Sequence, residues 1–167
     1  LMKKNKAVGI DCISGEMIIS SAGILKDVYQ KLFNSILNTT QYPKCWKEGI
    51  IVNLFKSGQR LNTDNYRGLT INSCLAKLFN TVINNRLKIF LQEKKIINSA
   101  QIGFKRKART SDHIFVLNTL LKKYTRNNDK LYMCFVDFKK AFDCVWHEGL
   151  LLKMLEAGIR GKCFRLI

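Results

Sequence analysis

Apolar positions recur with helical spacing in three long stretches and run almost unbroken through two short ones. Between Ile18 and Asn38, the residues Ile24, Leu25, Val28, Leu32, Phe33, Ile36 and Leu37 stand three, four and seven apart, which describes one face of a helix; Pro43 follows as a stop. The β-branched run Gly49 to Phe55 predicts a strand. The polar stretch Lys56 to Arg67 then predicts a basic loop or hairpin tip that returns through Leu69, Thr70 and Ile71. Leu75, Leu78, Phe79, Val82, Ile83, Leu87, Phe90 and Leu91 mark a second long helix. Ser111 is a candidate N-cap for a third helix through Tyr124, which would turn Ile114, Phe115, Leu117, Leu120 and Leu121 to the core. After a turn at Asn127, Asn128 and Asp129, the segment Leu131 to Val136 is apolar throughout, as in a central strand covered on both faces, and it stops at Asp137. A last helix is expected from near Asp143, carrying Leu150, Leu151, Met154 and Leu155.

The pattern gives an α+β fold of long amphipathic helices on a small, mainly antiparallel sheet. A chain of 167 residues can bury one core, at most split into subdomains. Pro43 is the single proline and no repeat or low-complexity linker stands out, so one continuous compact unit is expected. The first residue is Leu1 rather than Met and the last, Ile167, is apolar, so both ends look cut.

Composition sharpens the choice of partner. Hydrophobic residues make up 47% of the chain and argue for a folded protein, yet the formal net charge is +17. Such a charge calls for a polyanion. Nucleic acid comes first, because each Lys or Arg on a phosphate releases a counterion; a membrane surface or plain solubility would use the same charge. The excess peaks between Lys94 and Lys130, where ten Lys or Arg face only Asp112 and Asp129. Six cysteines with no C-x-x-C pair and only two histidines exclude zinc-finger spacing; they read as small, reduced, mostly buried side chains of an intracellular protein, nucleus or cytoplasm left open. No apolar run is long enough for a membrane span.

Asp137 is the first candidate for chemistry. An acidic residue directly after a buried strand has a fixed backbone and a side chain at the sheet edge, although a helix cap would occupy the same place. The whole string Phe135-Val136-Asp137-Phe138-Lys139-Lys140-Ala141-Phe142-Asp143 resembles motif A of reverse transcriptases, most closely those of non-LTR (LINE-like) retrotransposons. Further blocks follow the order of that family. Lys6-Ala7-Val8-Gly9-Ile10-Asp11 is similar to its opening "KAxGxD", with Cys12 where a Gly is more usual. Asn65-Tyr66-Arg67-Gly68-Leu69-Thr70 is similar to "NYRxIT", and Gln101-Ile102-Gly103-Phe104-Lys105 to "QxGFR", with Lys105 in place of Arg.

The resemblance implies fingers and part of the palm of a right-hand polymerase. It makes Asp137 a ligand of two Mg2+ ions, helped by the Phe138 carbonyl. Phe142 would be the aromatic gate against a ribose 2′-hydroxyl, where the residue alone would read as core. Arg67 and Lys56 would reach the triphosphate of the incoming deoxynucleotide, against surface salt bridges as the plainer reading. Gln101, Gly103 and Phe104 would lie by the template. Lys105, Arg106, Lys107 and Arg109 would contact phosphates, unless that run is only an exposed loop. The implied substrates are an RNA template, a DNA primer and deoxynucleoside triphosphates.

Asp143 and His147 stand four apart on the expected helix and read as capping and packing residues, and Asp11 as a turn or fingers residue. No two acidic residues are adjacent anywhere in the chain, so the Y-x-D-D hairpin of the family is missing. The expectation is therefore a partial domain, residues 1–110 mainly fingers and 111–167 the start of the palm. The palm hairpin, the thumb and other domains would be absent, and the isolated chain inactive. The competing classes are a non-catalytic nucleic-acid-binding remnant and a basic structural protein. An RNA-dependent RNA polymerase would also carry an Asp after a central strand, but Phe142 at the gate position favours DNA as the product.

Overall fold

The computed structural model describes residues 2–105 and 107–167. In chain order it forms α1 (Gly15–Thr39), a 3-10 turn (Lys44–Trp46), β1 (Gly49–Phe55), a second 3-10 turn (Thr63–Asn65), β2 (Tyr66–Asn72), α2 (Cys74–Glu93), α3 (Thr110–Arg126), α4 (His147–Glu156) and α5 (Gly161–Leu166). Rather than one continuous unit, the chain divides into two: residues up to Phe90 together with Met154–Ile167, and Leu91–Lys153.

In the first unit the two long helices and the hairpin expected there are present. Helix α1 starts where the Ser14 hydroxyl accepts the Met17 N–H, and it ends at Thr40, whose left-handed backbone returns its N–H to the Ile36 carbonyl. Pro43 then enters the 3-10 turn that presents Trp46 to the core. That core consists of Ile36, Trp46, Ala76, Phe79 and Ile83, flanked by Phe33 and Tyr42. Phe33 meets Phe79 edge-on at 5.2 Å between ring centroids, and Tyr42 meets Trp46 at 5.6 Å. Aromatic pairs of this kind add about 0.5–1.5 kcal/mol each to their area burial.

The sheet is antiparallel as expected, with Gly49 opposite Asn72 and Phe55 opposite Tyr66. The helices, however, do not pack on it. Strand β1 is exposed at every position, and on β2 only Tyr66, Ile71 and Asn72 are half-buried. The first half of the α1 apolar face is likewise bare, with Ile24, Leu25 and Val28 exposed.

In the second unit no described residue is buried. Helix α3 covers the expected stretch, but Ser111 lies inside its first turn; the Asp112 carboxylate accepts the Arg109 N–H at 2.8 Å and sets the start earlier. Ile114, Phe115, Leu120 and Leu121 face outward, not into a core. The turn at Asn127 to Asp129 forms as expected: Asn128 is left-handed, and its N–H and that of Asp129 bond the Thr125 and Tyr124 carbonyls. The largest departure is Leu131 to Val136. It is irregular, with Phe135 80% and Val136 75% exposed. A strand exists only through a ladder partner, and among the described residues β1 and β2 pair with each other alone.

The last long helix starts at His147 rather than near Asp143, which sits in a turn with its N–H on the Lys140 carbonyl. Asp143 and His147 are therefore not four apart on one helix. The cysteines are free as expected, but of the six only Cys74 is buried.

Candidate functional site

Arg67 lies on strand β2, not in the preceding loop as its polar surroundings suggested, and pairs with Leu54. Beyond β1 the ladder continues by one bond, from the Lys56 N–H to the Asn65 carbonyl at 2.8 Å. Side chains alternate along a strand, so Lys56, Leu54 and Arg67 share one face of this hairpin. Both cations are exposed, diagonal neighbours at the hairpin's distal end. The opposite face carries Phe55 and Tyr66, with ring centroids 5.4 Å apart, and the Arg60 guanidinium 5.6 Å above the Phe55 ring. The tip is held from within: Asn65 Nδ2 donates to the Gln59 carbonyl and the Tyr66 hydroxyl to that of Arg60, each at 2.9 Å. A mobile polar loop would not aim two cations; this cross-braced hairpin does.

The second unit holds the remaining candidates. Phe104, with a left-handed backbone at φ +60°, stands edge-on to Phe142, ring centroids 6.3 Å apart and planes at 87°. The fold thus brings the Q-x-G-F block to the end of the Asp137 block. Gln101 Nε2 donates to the Gly103 carbonyl at 3.3 Å, and a side chain at Gly103 would meet nothing within 4 Å, so this backbone is open to an approaching strand. Lys105, Lys107 and Arg109 are exposed around it; Arg106 lies outside the described residues. Asp137, Phe138 and Phe142 are exposed too, so Phe142 is no core residue of the described unit.

The "KAxGxD" block has a structural role that its sequence did not disclose. A Cβ at Gly9 would come within 2.7 Å of the Ser73 amide nitrogen and 2.9 Å of the Asn72 carbonyl carbon, so only glycine lets this loop touch the β2–α2 junction. Asp11 Oδ2 accepts the Ser73 hydroxyl at 2.6 Å, Asp11 Oδ1 accepts the Ile13 N–H, and Ser73 Oγ accepts the Ala76 N–H at the start of α2. Ser73, 3% exposed, went unnoticed in the sequence; its place one residue before a helical apolar pattern was the signal available. Cys12 has φ +55°, the region that disfavours a Cβ, which accounts for the glycine more usual there.

Magnesium needs six oxygen ligands in near-octahedral array. Asp137 and the Phe138 carbonyl are oxygens of the right kind, but among the described residues no three His, Cys, Asp or Glu come together where a metal could sit. The donors present fit magnesium in type and are too few to hold two ions.

The family described as reverse transcriptase (RNA-dependent DNA polymerase) matches residues 54–166. Among curated relatives, the probable RNA-directed DNA polymerase from transposon BS of Drosophila melanogaster is 31% identical over 124 residues, 74% of this chain and 14% of that protein. The RNA-directed DNA polymerase from mobile element jockey of the same species is 32% identical over 73% of this chain and 13% of that protein. Its counterpart from Drosophila funebris is 32% identical over 91% of this chain and 17% of that protein. The chain therefore spans less than a fifth of each of these relatives.

Proposed function

The chain belongs to the reverse transcriptase (RNA-dependent DNA polymerase) family, as a domain of the LINE-like, non-LTR kind, and from that premise we propose that it serves RNA-directed DNA synthesis. Residues 1–110 supply mainly the fingers and 111–167 the start of the palm. Asp137 supplies one carboxylate to a pair of magnesium ions, with the Phe138 carbonyl beside it; the other carboxylates must come from polypeptide outside these 167 residues. Bound there, the ions would activate the primer hydroxyl and stabilise the leaving pyrophosphate.

This chain's own residues do the positioning. Arg67 and Lys56, on one face of a braced hairpin, neutralise the triphosphate of the deoxynucleotide. Phe142 occupies the space a ribose 2′-hydroxyl would need. Gln101, Gly103 and Phe104 meet the template, and Lys105, Arg106, Lys107 and Arg109 its phosphates. The observation that carries the reading is the edge-to-face contact of Phe104 with Phe142, which joins the template-side block to the block of Asp137.

The test is primer extension on an RNA template by a polypeptide that continues through the remaining palm. Asp137→Asn is expected to lower the rate by a factor of about 1000 or more, while RNA binding stays within about twofold. Synthesis at an undiminished rate would remove Asp137 from the metal site. A second reading is favoured by the sequence, in which no two acidic residues are adjacent and so no Y-x-D-D occurs: as an isolated chain the domain binds nucleic acid and does not polymerise.

A further inference from the structure

Within the first unit a cleft of about 690 Å³ opens between the N-terminal segment and α2. Its polar rim is formed by Lys3, Lys6, Lys77, Asn80, Thr81 and Asn84, and no carboxylate lines it. On α2, Lys77, Asn80, Thr81 and Asn84 are three, four and seven apart and so share one exposed face. Lys3 and Lys6 come from the opposite wall, which is fastened to α1: the Asn5 N–H donates to the Glu16 carboxylate, and Gly15 leaves room for the Lys3 carbonyl. That carboxylate is thereby spent on the backbone and stays out of the cleft.

A second cleft of about 610 Å³ shares Asn80 and Asn84 with the first and brings in Lys47 and Arg165 over a floor that is otherwise largely apolar, with no Asp or Glu in its lining. Because the two clefts share these two amides, the cations of both border one continuous lining, longer than a single anion needs. The cations suit consecutive phosphates, and the amides can donate to phosphate oxygens whatever the sequence.

We propose that the cleft lined by Lys3, Lys6 and Lys77 binds the phosphodiester backbone of a nucleic-acid strand, at a surface distinct from the hairpin face of Arg67 and from the unit that carries Asp137. The ligand is a strand and not a free nucleotide, because the basic lining continues past Asn80 and Asn84 into the neighbouring cleft. This rests on the reading of the chain as a nucleic-acid enzyme and adds to it a strand-binding surface on the first unit.

The experiment uses the 167-residue chain and labelled oligouridine, with anisotropy read over a range of salt concentrations. The triple variant Lys3→Ala, Lys6→Ala, Lys77→Ala is expected to bind at least about tenfold more weakly at low salt and to lose about 2 units of the log-affinity against log-salt slope. Lys→Arg at the same three positions should restore both. A triple variant at Lys26, Lys31 and Lys44, none of which lines either cleft, controls for the net charge. Equal losses in the two alanine sets would overturn the cleft while leaving nucleic-acid binding intact. If the unaltered chain shows no salt-dependent binding, both the cleft and the reading beneath it fall. Displacement of the strand by inorganic triphosphate, at concentrations matched in phosphate, would overturn the strand in favour of a nucleotide site. Oligothymidine competing as well as oligouridine supports a backbone contact blind to the sugar, whereas a strict RNA preference would overturn one built on phosphates alone.

Discussion

The Ser73 hydroxyl donates a hydrogen bond to the Asp11 carboxylate at 2.6 Å across 62 positions of sequence, and the same oxygen accepts the Ala76 N–H at the start of α2. One buried oxygen thus caps a core helix and ties the N-terminal block to the end of the strand that carries Arg67. A hydrogen bond to a charged group contributes about 1.5–3 kcal/mol and an N-cap about 1 kcal/mol. Ser73→Ala is expected to destabilise the chain by about 2–3 kcal/mol. Asp11→Asn, which keeps an acceptor, should cost about 1 kcal/mol. Urea unfolding midpoints measure both. A Ser73→Ala midpoint equal to that of the parent would show that water replaces the bond at no cost.

Gly9 and Cys12 make opposite predictions within one loop. Gly9→Ala drives a Cβ against backbone atoms of Asn72 and Ser73, which cannot swing aside as a side chain would. It should cost about 1–3 kcal/mol. At Cys12 the left-handed backbone already bears a Cβ, at about 1–2 kcal/mol, more than the roughly 0.5–1 kcal/mol of chain entropy a glycine would lose. Cys12→Gly should therefore raise the unfolding midpoint. A lowered midpoint would mean that the Cys12 thiol contact with the Ile10 carbonyl outweighs backbone strain.

How far the fold could be read from sequence depends on where each element finds its partners. Helices α1 and α2 were legible because helical hydrogen bonds are local and their apolar spacing is long. Hairpin β1–β2 was legible from two apolar runs around a polar turn, though Arg67 was assigned to the loop because Tyr66-Arg67-Gly68 does not look like a strand on its own. Leu131 to Val136 failed for the opposite reason: its composition says buried strand, but a strand depends on neighbours that the described residues do not provide. Trp46 and Ser73 were missed because a 3-10 turn and a one-residue cap leave no periodic trace. The motif blocks were readable as strings. That Gly9 and Asp11 brace the fold, while Phe104 reaches Phe142, required coordinates.

The Glu16 carboxyl is held below its ordinary value of 4.5, chiefly by the bond from the Asn5 N–H, with further help from its own backbone N–H, the Ser14 hydroxyl and Lys4. A carboxylate with a depressed folded-state pKa adds stability above its unfolded pKa and loses it as pH falls through the folded value. The fastening of residues 2–6 should thus be complete at neutral pH and fail only in acid below 4.5. In an NMR titration, Glu16 and the Asn5 amide should share one midpoint below 4.5, and in Glu16→Gln the Asn5 amide should not titrate. Separate midpoints for the two groups would break the link.

Phe104 and Phe142 meet edge to face while both rings remain largely exposed, so neither is fixed by a surrounding core. If Phe142 excludes a 2′-hydroxyl, its orientation depends on what stands beside it, and in this unit that neighbour is Phe104. An aromatic pair contributes about 0.5–1.5 kcal/mol, a factor of about 2 to 12 in the population of one ring orientation. In a polypeptide completed through the palm, Phe142→Ala is expected to raise the ratio of ribonucleotide to deoxynucleotide incorporation by about 100-fold or more. Phe104→Ala should raise the same ratio by only about 2- to 12-fold. The double variant should match Phe142→Ala alone, because a ring that is absent cannot be propped. A Phe104 effect that persists in the Phe142→Ala background would show that Phe104 does not act by propping the gate ring.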